Sequence, residues 1–141
     1  MRTLVIVKPD GVKRGLVGDA VSRFERYGFK LAGLKVLKAG EKAEKLYSIH
    51  KGKPFYDDLI EYINSGPIAV IILDIDLKAE DAIKMVRKIV GATNPINAEM
   101  GSIRGDYGYS ISENIVHASD SEESANKEIP IFFNENELVK Y

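Results

Sequence analysis

The side chains best suited to nucleophilic or acid–base chemistry are two histidines, because the 141 residues include no cysteine. His117 follows the β-branched pair Ile115 and Val116, which predicts the end of a buried strand. Ser119 and Glu122 have the spacing of a capping box, so a helix is expected to begin just after the histidine. Helix N-termini attract anions, which makes His117 a candidate to meet an anion. From these residues alone a purely structural, hydrogen-bonded histidine is the favoured interpretation, and only residues elsewhere in the chain shift the balance towards chemistry.

The second histidine, His50, lies in a basic loop without an acidic residue at ligand spacing. We interpret it as a solvated side chain. Two aromatic residues flank this loop, and both are ambiguous. Phe55 follows Pro54 at the start of a predicted helix, and the sequence slightly favours a core position over a stacking position at the rim of a site. Tyr47 allows the same two interpretations.

Three cations are candidate phosphate ligands, and each also has a simpler explanation. Lys8 follows the first apolar run, where a lysine is usually only solvated. Arg87 lies in the last turn of a predicted helix, where a cation complements the helix dipole. Arg104 stands in a glycine-rich loop without an obvious packing partner, which favours an anion-binding role. A contact between Arg104 and Asp106 is the alternative.

Composition narrows the classes of protein to which the chain can belong. Hydrophobic residues make up 45% and charged residues 29%, as in an ordinary globular domain, and the net charge is −1. This balance does not favour nucleic acid or an anionic membrane as a partner. No apolar stretch approaches the ~20 residues of a membrane helix. We therefore expect a single cytoplasmic domain over residues 1–141, with neither a disulfide framework nor a thiolate metal site.

The hydrophobic pattern predicts four strands separated by helices. The order is β-α-β, a helical insertion, and then β-α-β. This order predicts an α+β, ferredoxin-like (split βαβ) fold: a four-stranded antiparallel sheet with helices packed on one face. The strands are predicted at residues 3–7, 31–37, 68–73 and 111–116, and the helices at 17–27, 41–49, 55–65, 79–90 and 121–128.

One segment does not fit a regular element. Residues 92–109 are rich in Gly, Asn, Pro and Ser and show no period. A structureless loop of this length inside a compact domain is usually functional. It contains Thr93, Asn94 and Arg104, whose side chains suit phosphate or ribose. We interpret it as an active-site or subunit-contact loop.

Five short motifs give the chain a resemblance to a known family. They are NIVHASDS at 114–121, VKPDG at 7–11, KPF at 53–55, GATNP at 91–95 and IRGDY at 103–107. In this order and spacing the sequence resembles the nucleoside diphosphate kinases, whose active-site signature is N-x-x-H-G/A-S-D. The resemblance covers nearly the whole chain. It implies a ping-pong phosphotransferase that moves the γ-phosphoryl group of a nucleoside triphosphate to a nucleoside diphosphate.

The resemblance also implies roles for individual residues around the histidine. His117 would be the nucleophile that becomes phosphohistidine. Glu128 would hydrogen-bond the imidazole and set its tautomer, and Ser119 would support that contact. Tyr47 would lie near the transferred group. The nucleotide would be bound by a second set of side chains: the phosphates by Lys8, Arg87, Thr93 and Arg104, the ribose by Asn114, and the base by Phe55.

Further implications concern the cofactor, the specificity and the assembly. Mg²⁺ would be carried by the nucleotide phosphates rather than by protein ligands. Stacking without recognition of base edges would give broad base and sugar specificity. The family forms hexamers or tetramers, which implies a homo-oligomer. A ligand-binding module without catalysis and a phosphatase on the same fold remain the competing hypotheses.

Overall fold

The computed structural model describes residues 1–141 and contains one four-stranded antiparallel sheet. Its strands are β1 (Arg2–Val7), β2 (Lys30–Leu37), β3 (Ile68–Asp74) and β4 (Val116–Ala118), in the order β2-β3-β1-β4. Every neighbouring pair is antiparallel. The predicted α+β, ferredoxin-like sheet is confirmed.

The two central strands are buried on both faces of the sheet. The side chains of β1 from Thr3 to Val7 and those of β3 from Ile68 to Leu73 are all inaccessible to solvent. Alternate side chains point to opposite faces, so Leu4 and Ile6 join one apolar cluster while Val5 and Val7 join another. Both faces must therefore be covered, and the expectation of helices on one face only is wrong.

Seven helices surround the sheet. One face is covered by residues of α3, α4 and α7, and the other by residues of α2, α5 and α6. The helices are α1 (Pro9–Lys13), α2 (Val17–Arg26), α3 (Lys42–Leu46), α4 (Tyr56–Ile63), α5 (Ala79–Val90), α6 (Ile103–Tyr107) and α7 (Glu122–Phe132). Short 3₁₀ turns follow at Ser48–His50, Pro95–Asn97 and Glu135–Glu137. No helix is both long and apolar enough to span a membrane.

Residues 92–109 are more regular than the sequence predicts. Pro95–Asn97 forms a 3₁₀ turn, and the side chain of Asn94 accepts a hydrogen bond from the Ile96 amide. Ser102 caps α6 by accepting a hydrogen bond from the Gly105 amide. Local side-chain caps of this kind, rather than hydrophobic periodicity, give the segment its structure, which explains why a periodicity search misses it.

The last strand and the last helix both differ from their predicted bounds. The predicted strand at 111–116 is too early, since β4 begins only at Val116. Ser121, not Ser119, caps α7 and accepts a hydrogen bond from the Ser124 amide. The helix also continues through Pro130 to Phe132 instead of ending before the proline. The buried ring of Phe132 anchors that last turn against the sheet, which offsets the hydrogen bond that proline cannot donate.

Candidate active site

A cleft of about 470 Å³ opens where β1, β4, α5 and the 92–109 segment meet. It collects residues that lie far apart in the sequence. Eight of the ten predicted site residues line it: Lys8, Tyr47, Phe55, Arg87, Thr93, Arg104, Asn114 and His117. The remaining two, Ser119 and Glu128, lie behind the histidine.

His117 lies in the middle of β4, opposite Ile6 of β1, and not at a strand-to-helix junction as the sequence suggests. Its Nε2 is 2.6 Å from Oε1 of Glu128, a residue of α7. The Ser119 hydroxyl donates to the same oxygen at 3.1 Å. Ser119 is therefore not a helix cap but a second donor to Glu128. The other ring nitrogen of His117 forms no hydrogen bond within the chain and belongs to a side chain that lines the cleft.

Tyr47 stands beside the histidine. The two ring centroids are 6.0 Å apart and the rings are perpendicular. The predicted helix 41–49 is interrupted at Tyr47, which lies between the end of α3 at Leu46 and the 3₁₀ turn that begins at Ser48. Burial, and secondarily the charge of Glu128, raises the pKa of the Tyr47 hydroxyl far above its usual value. The hydroxyl is therefore neutral and can donate a hydrogen bond into the cleft.

Lys8 is a buried cation at the end of β1. Its ammonium group donates to Oδ1 of Asn114 at 2.5 Å and to the Ser112 carbonyl at 3.0 Å. Burial lowers its pKa to about 8; the charge of Arg104 acts in the same direction, and that of Asp10 opposes them. A charge kept in so apolar a place is stabilised by the arrival of an anion.

Arg104 has hydrogen-bond partners within the protein, although the sequence suggested no packing partner. It lies on α6, and its guanidinium group donates to the carbonyls of Gly91 at 3.0 Å, Asn114 at 3.3 Å and Val116 at 2.6 Å. Its alternative contact, Asp106, pairs instead with Arg23. Burial, followed by repulsion from Arg87, lowers the pKa of Arg104 to about 10. At neutral pH it remains a fixed positive charge in the cleft.

Asn114 connects three of the predicted residues. Its side chain is 2% exposed, and its Nδ2 donates to the Thr93 carbonyl at 2.9 Å while its Oδ1 accepts from Lys8. Arg104 binds the Asn114 backbone carbonyl. The side chain of Thr93 is exposed at the edge of the cleft. The start of the 92–109 segment and the end of β1 are thus tied together through one amide.

A hydrogen-bond network that sequence reasoning missed holds the backbone between Asn114 and the start of β4. Ile115 has a φ of +74°, which is costly for a β-branched residue. Its amide donates to Asp10 at 3.0 Å, and its carbonyl accepts from the Lys8 amide at 2.7 Å. The hydroxyl of Tyr62 donates to the other Asp10 oxygen at 2.5 Å. No local signal in the sequence distinguishes an aspartate of a turn from one that clamps a distant strand, as Asp10 does here.

The family model for nucleoside diphosphate kinases matches residues 1–138. The chain belongs to the nucleoside diphosphate kinase family. It is 52% identical to a nucleoside diphosphate kinase of Staphylothermus marinus, over 99% of this chain and 97% of that protein. It is 51% identical to the one of Sulfurisphaera tokodaii, over 98% and 92% of the two chains. It is therefore a phosphotransferase with nucleoside diphosphate kinase function.

Solved structures of the family have the same fold. A nucleoside diphosphate kinase of Halobacterium salinarum, described in complex with CDP, superposes with a TM-score of 0.92 at 42% identity, covering 100% of this chain and 92% of that one. The enzyme of Aquifex aeolicus gives 0.91 at 40% identity, with 98% of each chain covered. The resemblance drawn from the five motifs is confirmed.

The rim of the cleft corrects the sequence-based interpretations of two side chains in this nucleoside diphosphate kinase. Phe55 is 47% exposed, so the slight preference for a core position is wrong and the rim position is correct. His50, interpreted as solvated, also lines the cleft, with its ring centroid 5.2 Å from that of Phe55. Ile111 and Asp120 also line the cleft and were not predicted as site residues. Asp120 lies within the NIVHASDS motif, which is the signal that could have found it.

The cleft of this nucleoside diphosphate kinase has a strong excess of positive charge. Lys8, Arg87 and Arg104 line it, and Asp120 is its one carboxylate. A hydrogen bond from Ser124 keeps the pKa of Asp120 below its usual range, so it is ionised. Nowhere do three His, Cys, Asp or Glu side chains form a group that could hold a metal ion. The donor set therefore suits the phosphates of a nucleotide better than a bare cation.

Proposed function

We propose that His117 carries the phosphoryl group between two nucleotides. A lone pair of the imidazole attacks the γ-phosphorus of a nucleoside triphosphate, and the bond from that phosphorus to the β–γ bridging oxygen breaks. The nucleoside diphosphate leaves with the electron pair of that bond. A second diphosphate then takes the phosphoryl group from the histidine. A neutral imidazole is nucleophilic at physiological pH without an activating base.

The hydrogen bond to Glu128 supports Nδ1 as the attacking atom. Nε2 lies 2.6 Å from the carboxylate and is therefore the protonated nitrogen, since a carboxylate accepts and does not donate. The lone pair is then on Nδ1, which has no partner in the chain. Positive charge that develops on the ring during attack is stabilised by Glu128. The Ser119 hydroxyl keeps that carboxylate in place.

The cations of the cleft provide the rest of the catalytic effect. Phosphoryl transfer needs in-line positioning and neutralisation of charge more than covalent assistance. Lys8 and Arg104 are fixed by hydrogen bonds to carbonyl and amide oxygens, so they are preorganised for the phosphates. Arg87 is exposed on α5 and approaches from the open side. The hydroxyl of Thr93 and the neutral hydroxyl of Tyr47 supply uncharged donors.

We assign Mg²⁺ to the nucleotide phosphates, in line with the scarcity of acidic groups in the cleft. Asp120 is the one carboxylate positioned to reach such an ion or its water shell. Bound there, the cation would neutralise charge on the transferred group and the leaving group. The protein's own contribution is to orient the phosphates with Lys8, Arg87 and Arg104.

The rim residues would bind the nucleoside. Phe55 offers an exposed aromatic face on which any base can stack, because every base has a π face. Asn114 and Lys8 lie deeper and suit the ribose hydroxyls. This arrangement supports broad use of purine and pyrimidine, ribo- and deoxyribonucleotides, and hence a role in supplying nucleoside triphosphates. Equal competition between adenine and cytosine nucleotides in a turnover assay would support it, and a strong preference would contradict it.

The relay is tested by intact-protein mass spectrometry after mixing with ATP and Mg²⁺. We expect one phosphoryl adduct, which is removed when a different nucleoside diphosphate is added. Tight nucleotide binding without an adduct would instead indicate a binding module. An adduct lost to water alone would indicate a phosphatase.

The lowered pKa of Lys8 gives a prediction for the pH profile. Below a pKa of about 8 the group is protonated and attracts the triphosphate; above it the amine is neutral. The kcat/KM of the free enzyme should therefore fall by about tenfold as pH rises from 7.5 to 9, as expected for the loss of one charged hydrogen bond. Lys8→Arg keeps its charge, so its profile should stay flat over this range. An identical fall in both proteins would assign the titration to another group.

We also propose a cytoplasmic homo-oligomer, a hexamer or a tetramer. Three large apolar side chains of the 92–109 segment, Ile96, Met100 and Tyr109, are 86%, 93% and 84% exposed. Large apolar side chains exposed within one short segment are typical of a subunit contact. Sedimentation equilibrium of the purified chain gives the number of subunits, and a monomer at all concentrations would contradict the proposal.

A further inference from the structure

The ring of His50 fills the space between two aromatic residues of the cleft. Its centroid is 5.2 Å from that of Phe55, with an interplanar angle of 61°, and 6.3 Å from that of Tyr47. The pair with Phe55 is edge-to-face, which is favourable because the positive edge of one ring meets the negative face of the other, whereas the pair with Tyr47 is tilted by 33°. His50 thus connects the exposed ring of Phe55 to the buried part of the cleft.

Of these two neighbours, Phe55 is the one that depends on His50. Tyr47 is only 6% exposed and belongs to the core under the sheet, so its position is fixed without help. Phe55 is 47% exposed and follows the turn that starts at His50, where the Lys53 amide donates to the His50 carbonyl at 3.0 Å. The ammonium group of Lys53 also lies 5.8 Å from the centroid of the Phe55 ring, but a long, flexible lysine side chain does not fix the plane of that ring.

The shape of the His50 ring, and not a hydrogen bond, makes this contact. Nδ1 of His50 is buried and has no hydrogen-bond partner. A buried nitrogen without a hydrogen-bond partner lowers the stability of the fold. Nδ1 therefore does not explain why this position holds a histidine rather than another flat ring. What the position uses is an aromatic edge directed at Phe55.

We propose that His50 is a positioning residue that fixes the plane of Phe55 and thereby the seat of the nucleotide base. The inference rests on the proposed function, in which Phe55 stacks on the base. A base stacks well only on a ring of fixed orientation, because immobilising a loose ring reduces the affinity gained. His50 thus acts on nucleotide binding through Phe55 and has no part in the chemistry at His117.

The test compares His50→Ala with His50→Phe. His50→Ala should raise the KM for ATP by about 3- to 10-fold, the size expected for one aromatic pair, with kcat nearly unchanged. His50→Phe keeps the ring edge and should restore most of the affinity. Ile49→Ala is the matched control, because Ile49 lies in the same 3₁₀ turn and is 75% exposed. Loss of affinity in His50→Phe as well would overturn the proposal, since a ring nitrogen would then be responsible.

Two further measurements separate positioning from general damage. In a Phe55→Ala background, His50→Ala should have no additional effect on KM, whereas an additive effect would overturn the proposal. Phosphoramidate transfers its phosphoryl group to the histidine and releases ammonia without involving a base. Its rate with His50→Ala should equal that of the parent, and a fall would place His50 in the chemistry. A parent that accepts phosphoryl from neither ATP nor phosphoramidate would instead contradict the proposed function itself.

Discussion

His117→Ala is expected to lower kcat by roughly 10⁴- to 10⁶-fold, the range seen when a covalent nucleophile is removed. His117 and His50 both line the cleft, but only the ring of His117 is held by a carboxylate, that of Glu128, which leaves Nδ1 of His117 free to attack. Binding should largely persist, because the cations and Phe55 remain. The measurement is steady-state turnover together with equilibrium binding of a nucleoside diphosphate.

The same variant must also keep its fold for this result to count. His117 is a part-exposed residue whose side chain makes its hydrogen bond to Glu128 alone, while the backbone pairing with β1 does not depend on the side chain. Thermal unfolding should thus show a modest change. Turnover above a tenth of the parent's in a folded His117→Ala variant would exclude a relay through this residue.

The two central strands could be predicted because their own residues, without distant contacts, indicate a buried strand. The runs that form β1 and β3 are continuously apolar, which is the pattern of strands buried on both faces. That same observation contradicts a sheet covered on one face only. A continuously apolar central strand therefore requires helices on both faces of the sheet.

The motifs gave the list of site residues, and the fold was needed to show how they cooperate. Lys8 and Asn114 are 106 positions apart, yet their side chains share a hydrogen bond. The positive φ of Ile115 and its clamp by Asp10 are likewise long-range. Secondary-structure propensity and hydrophobic periodicity describe residues that are neighbours in the sequence, so they do not predict contacts between distant residues.

Local capping caused the remaining errors. Ser119 and Glu122 have the spacing of a capping box, but Ser121 and Ser124 compete for the same helix start. The hydroxyl of Ser119 gains more by donating to Glu128, a carboxylate within the protein, than by capping at the surface. A contact between residues nine positions apart has thus overridden a local preference.

Glu128→Gln is the second variant with a large expected effect, and it addresses how the attacking nitrogen is chosen. The carboxylate accepts from Nε2–H of His117 and leaves the lone pair on Nδ1. An amide can instead present N–H to Nε2, which favours the opposite tautomer with its proton on Nδ1. It also removes the negative charge that stabilises the imidazolium-like transition state. We expect kcat to fall by roughly 10²-fold with little change in KM.

Ser119→Ala is the control that separates charge from orientation. It removes one hydrogen bond to Oε1 of Glu128 and leaves the carboxylate and its contact with His117 in place. Its kcat should therefore fall far less than that of Glu128→Gln. Imidazole ¹⁵N shifts of the two variants report the tautomer directly. If Glu128→Gln keeps kcat within twofold of the parent, neither the tautomer nor the developing charge on His117 is controlled by this carboxylate, and the nitrogen that attacks must be selected by the bound phosphates.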